Sequence, residues 1–163
     1  MWKRLCGGAL ATVLIGVSAP SPTATAAGCW RFKPAELRFA RKLNHARASH
    51  GVSKLHLDRQ LSKVARRHSW EMESRKSLYH TPLPILGRRV TKWRILGENI
   101  GWGSSVRSLH RAFMRSAAHR ANMLLPRYRH VGLGVRRHNG KLWVTVVFEA
   151  ASNPGTRLPM PSC

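Results

Sequence analysis

Three side chains of this sequence are of types that move protons or hold divalent cations: His80 in "LYHTP", Glu98 in "LGENIGWG" and His119 in "HRANML". Imidazole changes charge near neutral pH and is the commonest metal ligand, and a carboxylate beside it can orient it. Intervals of 18 and 21 residues are too long for any local template, so only a fold could bring these groups together. Short patterns that carry chemistry by themselves are missing: there is no nucleotide-binding loop, HExxH, GxSxG or CxxC. Each of the three residues also has an ordinary reading. Among nine histidines, His45, His50, His56, His110 and His138 read as surface or hydrogen-bonded residues, and His68 as a satisfied core histidine on an apolar stripe. Glu98 could accept backbone N–H bonds from a glycine-rich turn around it.

The elements that would position these residues follow from periodicity. From Pro34 to His50, Leu37, Ala40, Leu43 and Ala46 fall at helical spacing, with Pro34 suited to the first turn and Gly51 to the C-terminal cap. "KLHLD" is a short connector, and Asp58 caps a second helix striped by Leu61, Val64, Ala65, His68 and Met72. Residues 81–95 hold two prolines and a glycine without clean periodicity and read as a long loop, of the kind that borders functional sites. Ser104 or Ser105 caps a third helix with Val106, Leu109, Ala112 and Phe113 facing inward, and "SAAHRANML" follows as a turn. Strands at 130–137 and 141–150 are joined through Asn139-Gly140, a strong hairpin signal. Helices first and antiparallel strands late predict an α+β fold.

Composition sets the compartment. Lys3 and Arg4 precede an apolar run from Leu5 to Val17 and a small-residue site at Ala24–Ala26, so residues 1–26 read as a secretory signal peptide, leaving no transmembrane anchor after cleavage. The remaining 137 residues, 27–163, suit one domain and a monomer, with its core at 35–148 and an irregular tail at 149–163. Cys6 leaves with the signal, and Cys29 and Cys163 remain at the two ends of a chain bound for an oxidising compartment. Their pairing is expected and would contribute about 4 to 5 kcal/mol on the chain-entropy model; free thiols or an intermolecular bridge are the alternatives. Cleavage removes two of 29 basic residues, and 27 against 6 acidic ones give a net charge of +21. Such a chain adheres to polyanions in a salt-dependent way, and arginine-rich coding with a need for solubility is the bland explanation.

Five blocks in order now carry a resemblance: "LNHARASHGVSKLHLDRQLSKVARRHSWEME", "YHT", "GENIGWG", "AFMRSAAHRANML" and "HVGLGVRRHNGKLWVTVVFEA". Together, over roughly Ala35 to Phe148, they resemble a bacterial CAP domain, of the superfamily of cysteine-rich secretory proteins, antigen 5 and pathogenesis-related protein 1. The resemblance implies a three-layer α-β-α sandwich with a central antiparallel sheet, and a cavity with two histidines and acidic partners that takes up a divalent cation in some members. His80 matches the first histidine, Glu98 the glutamate of "GEN" and His119 the second histidine. Ser116 stands where eukaryotic members have a second glutamate. Phe113 stands where Trp is common, and Ala117-Ala118 replace Pro-Gly, which implies a more helical approach to His119.

Two imidazoles and one carboxylate are the ligand types of an open zinc site, so His80, Glu98 and His119 are the candidate ligands for zinc or another divalent cation. The surplus charge, with Arg88, Arg89, Lys92, Arg94 and Arg120 near in sequence, opposes a dication and favours an anion held by His80, His119 and Arg120. Three functions are open: a non-enzymatic secreted module binding an anionic cell-wall polymer or anionic lipid, a metal-dependent hydrolase, and a cationic membrane-acting or antimicrobial factor. A non-enzymatic role is favoured. Trp143 reads as core, and Trp93 and Trp102 as walls of the loop near Glu98; no base-reading order among aromatics and arginines points to specific nucleic acid.

Overall fold

The structure is a computed structural model that describes residues 30–151. The signal segment, Cys29, Cys163 and the tail from residue 152 lie outside the described residues, so the expected cleavage and disulfide do too. Five helices and four strands follow one another as α1 (Pro34–Ser49), β1 (His56–Leu57), α2 (Arg59–Arg75), α3 (Leu83–Arg89), β2 (Trp93–Gly103), α4 (Val106–Arg115), α5 (Ala117–Leu124), β3 (His130–His138) and β4 (Lys141–Ala151). The strand order is β1-β3-β4-β2, with β2, β4 and β3 antiparallel and β1 parallel to β3 at the edge. The fold is the expected α+β sandwich, with one change: two residues of the "KLHLD" connector add a short parallel strand to the otherwise antiparallel sheet.

Alternation along the strands fills both faces. Leu142, Val144, Val146, Phe148 and Ala150 of β4 join Val131, Leu133 and Val135 of β3 against Phe39 and Leu43 of α1 and Leu109 and Phe113 of α4. On the opposite face Val147 meets Leu61, Val64 and Ala65 of α2 and Leu86 of α3, while Trp143 meets Met72. Burial on both faces explains why β4 is apolar almost throughout and not alternating. Close approach of α2 demands glycine on β3: a Cβ at Gly132 would lie 2.1 Å from the Leu61 backbone, and one at Gly134 2.2 Å from that of Ala65. Ser69 Oγ seals the same contact by donating to Gly134 O at 2.9 Å.

Several local expectations hold. Asp58 caps α2, its carboxylate accepting from Leu61 N–H at 2.8 Å, and the predicted stripe is buried. Ser105 caps α4, with Val106, Leu109 and Phe113 buried; Ala112 is exposed, contrary to expectation, because the helix turns only three of those four positions to the sheet. Asn139 and Gly140 take φ of 44° and 73°, the paired left-handed geometry of a tight hairpin.

Four readings are corrected. Residues 81–95 are not a continuous loop: Pro82 is the N-cap of α3, whose first turn can carry Pro84 because those N–H groups need no helical partner. "SAAHRANML" is the helix α5 and not a turn, beginning at Ala117. The last strand, expected at 141–150, runs one residue further to Ala151, into the expected irregular tail. "LGENIGWG" lies within an 11-residue strand and not in a turn. Its glycines clear one face of that strand, since a Cβ at Gly97 would fall 2.1 Å from Tyr128 Oη and one at Gly101 2.8 Å from the Phe113 ring.

Candidate functional site

β2 is an outer strand, bonded to β4 alone, and successive residues point into different helical layers. Leu96, Glu98 and Ile100 face the α2 layer, whereas Gly97, Asn99 and Gly101 face α4 and α5. The residues singled out by type therefore approach from two sides of one strand. Glu98 sits at its middle, with 5% of its side chain exposed.

The carboxylate of Glu98 is fully engaged by the segment that follows α2. Thr81 N–H donates to Oε1 at 2.9 Å and Thr81 Oγ1–H to Oε2 at 2.8 Å. His80 Nδ1 lies 2.9 Å from Oε1, and because a carboxylate only accepts, Nδ1–H is the donor. His80 is thereby oriented with its Nε2 outward, and its side chain is 59% exposed. Glu98 lies in the ladder between β2 and β4 and not in a turn, and its carboxylate is satisfied from outside its own strand. His68 supports this arrangement from behind: it is buried on α2, its Nε2–H donates to Tyr79 O at 2.7 Å, and its ring meets Tyr79 edge-on. His68 Nε2 is also 4.0 Å from Glu98 Oε1.

His119 comes from the other layer. Its Nδ1 shares a 2.9 Å hydrogen bond with Ser116 Oγ, and its ring stacks on Phe113 with centroids 4.7 Å apart. Ser116 is the N-cap of α5 but makes no side-chain capping bond, its hydroxyl being used on the imidazole. Asn99 Nδ2–H donates to His119 O at 2.9 Å, and Asn122 Nδ2–H to Asn99 Oδ1 at 2.9 Å, which ties α5 to β2. Burial, and then the charge of His80, hold the His119 imidazole below its ordinary pKa. His119 is thus within electrostatic reach of His80, and both present Nε2 while Nδ1 is held.

The structure joins His80 to Glu98 and His119 to Ser116, but it does not gather the three predicted ligands around one point. Among the described residues no group of three His, Cys, Asp or Glu side chains could hold a metal ion. Open zinc sites use three protein ligands, and the described residues bring no such trio of side chains to one point. The donor set does not fit such a centre as it stands. Arg120 also departs from expectation: its Nη2 is 3.3 Å from His50 Nε2, which turns the guanidinium toward the end of α1. Trp93 donates through Nε1–H to Gly87 O on α3, and Trp102 lies beneath Lys141 at the hairpin end, so neither walls Glu98.

Sequence reasoning missed Thr81, Asn99 and Asn122, although all three stand inside or beside the quoted blocks. It also gave His68 to the core, which is correct for its burial and silent on its support of His80.

Comparison with known proteins identifies the family and the fold. The description "Cysteine-rich secretory protein family", CAP, matches residues 40–148. YkwD of Bacillus subtilis is 29% identical over 115 residues, covering 66% of this chain and 44% of the relative, so the chain spans less than half of that protein. A Bacillus anthracis extracellular protein containing an SCP domain superposes with a TM-score of 0.63 at 24% identity, covering 71% of this chain and 40% of the other. An outer surface protein of Borrelia burgdorferi gives a TM-score of 0.68 at 14% identity, covering 77% of this chain and 98% of the other. By its matched residues, its ordered sequence blocks and its sandwich of helices about a four-stranded sheet, this chain belongs to the cysteine-rich secretory protein (CAP) family.

Proposed function

We propose that this chain is a secreted, non-enzymatic binding module that works at an anionic cell envelope, holding phosphate- or carboxylate-bearing components through its basic exterior. One observation carries the reading: none of the six acidic side chains stands free at the surface to offset the cations. Glu36 is buried under Arg66, Asp58 caps α2, and Glu149 is buried with His130 at 2.8 Å. Glu73 is held by Lys76, Arg136 and His138, and Glu98 by His80 and Thr81. The most exposed, Glu71, shows 16% of its side chain and binds Arg67 and Arg89.

With 27 basic residues left after the expected cleavage and every carboxylate turned inward or paired, the exterior repels cations and attracts polyanions. Two further features support binding over catalysis. Glu98 is spent on orientation, and Ser116 supplies no second acid. Extracellular and outer-surface relatives agree with the proposed compartment, and among the described residues no helix is long and apolar enough to cross a membrane. The test is elution from cell-envelope preparations across a salt series. Retention at low salt with release by about 0.5 M is expected, since the screening length there falls well below 10 Å. Elution like that of a neutral secreted control at low salt would refute the reading.

A further inference from the structure

The basic surface is not uniform. On α1, Arg38, Arg41, Lys42 and His45 recur at i, i+3, i+4 and i+7 and form one stripe. Two adjoining grooves, of about 520 and 440 Å³, run along that stripe and share Arg41 and His45. The first continues past Lys54 beside β1, and the second ends at His110 on α4. No acidic residue lines either groove. Arg38, Arg41, Lys42 and Lys54 take part in none of the ion pairs among the described residues.

Length and floor select the ligand. From Leu37 to Ala48 the first groove follows α1 for about 16 Å at the helical rise, too far for one compact anion to bridge. Arginine forks suit phosphate oxygens, and the spacing of the stripe suits phosphates that recur along a strand. Between the cations the floor is apolar, with Leu37, Ala40, Leu55 and Leu57, which suits carbon units between successive phosphates. Building on the envelope reading above, we propose that the trough along α1 binds a linear phosphodiester polymer whose phosphates are joined by short polyol units.

The test uses the full chain with poly(glycerol phosphate) as the probe, in a salt series, beside glycerol phosphate monomer, inorganic polyphosphate and vesicles containing anionic lipid. The triple variant R38A/R41A/K42A is compared with R88A/R137A/K141A, which removes the same charge from exposed positions elsewhere. Matched thermal midpoints establish that both variants fold. By the counterion-release slope of about 0.7 per phosphate contact on a flexible strand, the trough variant loses roughly two units of salt slope. Its affinity falls at least about 30-fold, and that of the control no more than about threefold. Equal losses in the two variants overturn the trough and leave diffuse envelope adhesion standing. Failure of the unaltered chain to bind the polymer at low salt removes both. Polyphosphate binding as tight as that of the polyol polymer overturns the role of the apolar floor. Vesicle binding that falls in parallel with polymer binding assigns the stripe to a lipid surface and overturns the polymer.

Discussion

Glu98 offers the sharpest test of how the site is built. Three donors converge on its carboxylate, two from Thr81 and one from His80, at 2.8 to 2.9 Å, and the group is nearly inaccessible to water. Glu98→Ala strands the Thr81 N–H and hydroxyl in a buried pocket and removes the partner of His80, at a cost of about 3 to 5 kcal/mol. Glu98→Gln keeps one acceptor oxygen for Thr81 N–H, and the Thr81 hydroxyl can rotate to accept from the new amide. His80 then loses its charged partner, so about 1.5 to 2 kcal/mol is expected. Those magnitudes are a large share of the roughly 5 to 15 kcal/mol that stabilises a typical domain. Urea unfolding at pH 7.5 in about 0.5 M salt is the assay, because removing one of six acids from so basic a chain adds long-range repulsion that salt suppresses. A loss below about 0.5 kcal/mol for Glu98→Ala, or equal losses for Ala and Gln, would refute the assignment of Glu98 as the anchor of the His80 segment.

Two further outcomes follow from the same geometry. Burial, and then the charge of His80, depress the His119 pKa from its ordinary value of 6.5. Below that value the unfolded chain takes up a proton that folded His119 resists, so its contribution to stability is full above about pH 6.5 and declines as pH falls. His80→Ala should move the His119 midpoint upward in an NMR titration; an unchanged or lower midpoint would count against coupling between the two rings. Gly132→Ala forces a methyl against the backbone of α2 and not against a flexible side chain, so about 3 kcal/mol or more should be lost on chemical denaturation. A change under about 1 kcal/mol would mean that α2 does not seat on β3 at that distance.

What the sequence determined by itself is what local physics controls. The α2 stripe, the caps at Asp58 and Ser105, and the Asn139-Gly140 hairpin depend on residues within a few positions of one another and appear as read. On α1, Ala40, Leu43 and Ala46 are buried as expected, but Leu37 is half-buried and Phe39, outside the expected stripe, joins the core. The ordered blocks likewise made His80, Glu98 and His119 recognisable. Tertiary structure decided the rest. A glycine that clears space beneath Tyr128 or Phe113 has the same letter as one that makes a turn, so β2 was invisible until α4 and α5 were laid against it. The split of the site into a Glu98–His80 pair and a Ser116–His119 pair was equally hidden, because Glu98 and Asn99 are chain neighbours that face opposite layers of the sandwich. The charge of the exterior was legible as a sum; its quality as a surface without free carboxylates was not, since only folding turned the six acids inward or onto cationic partners.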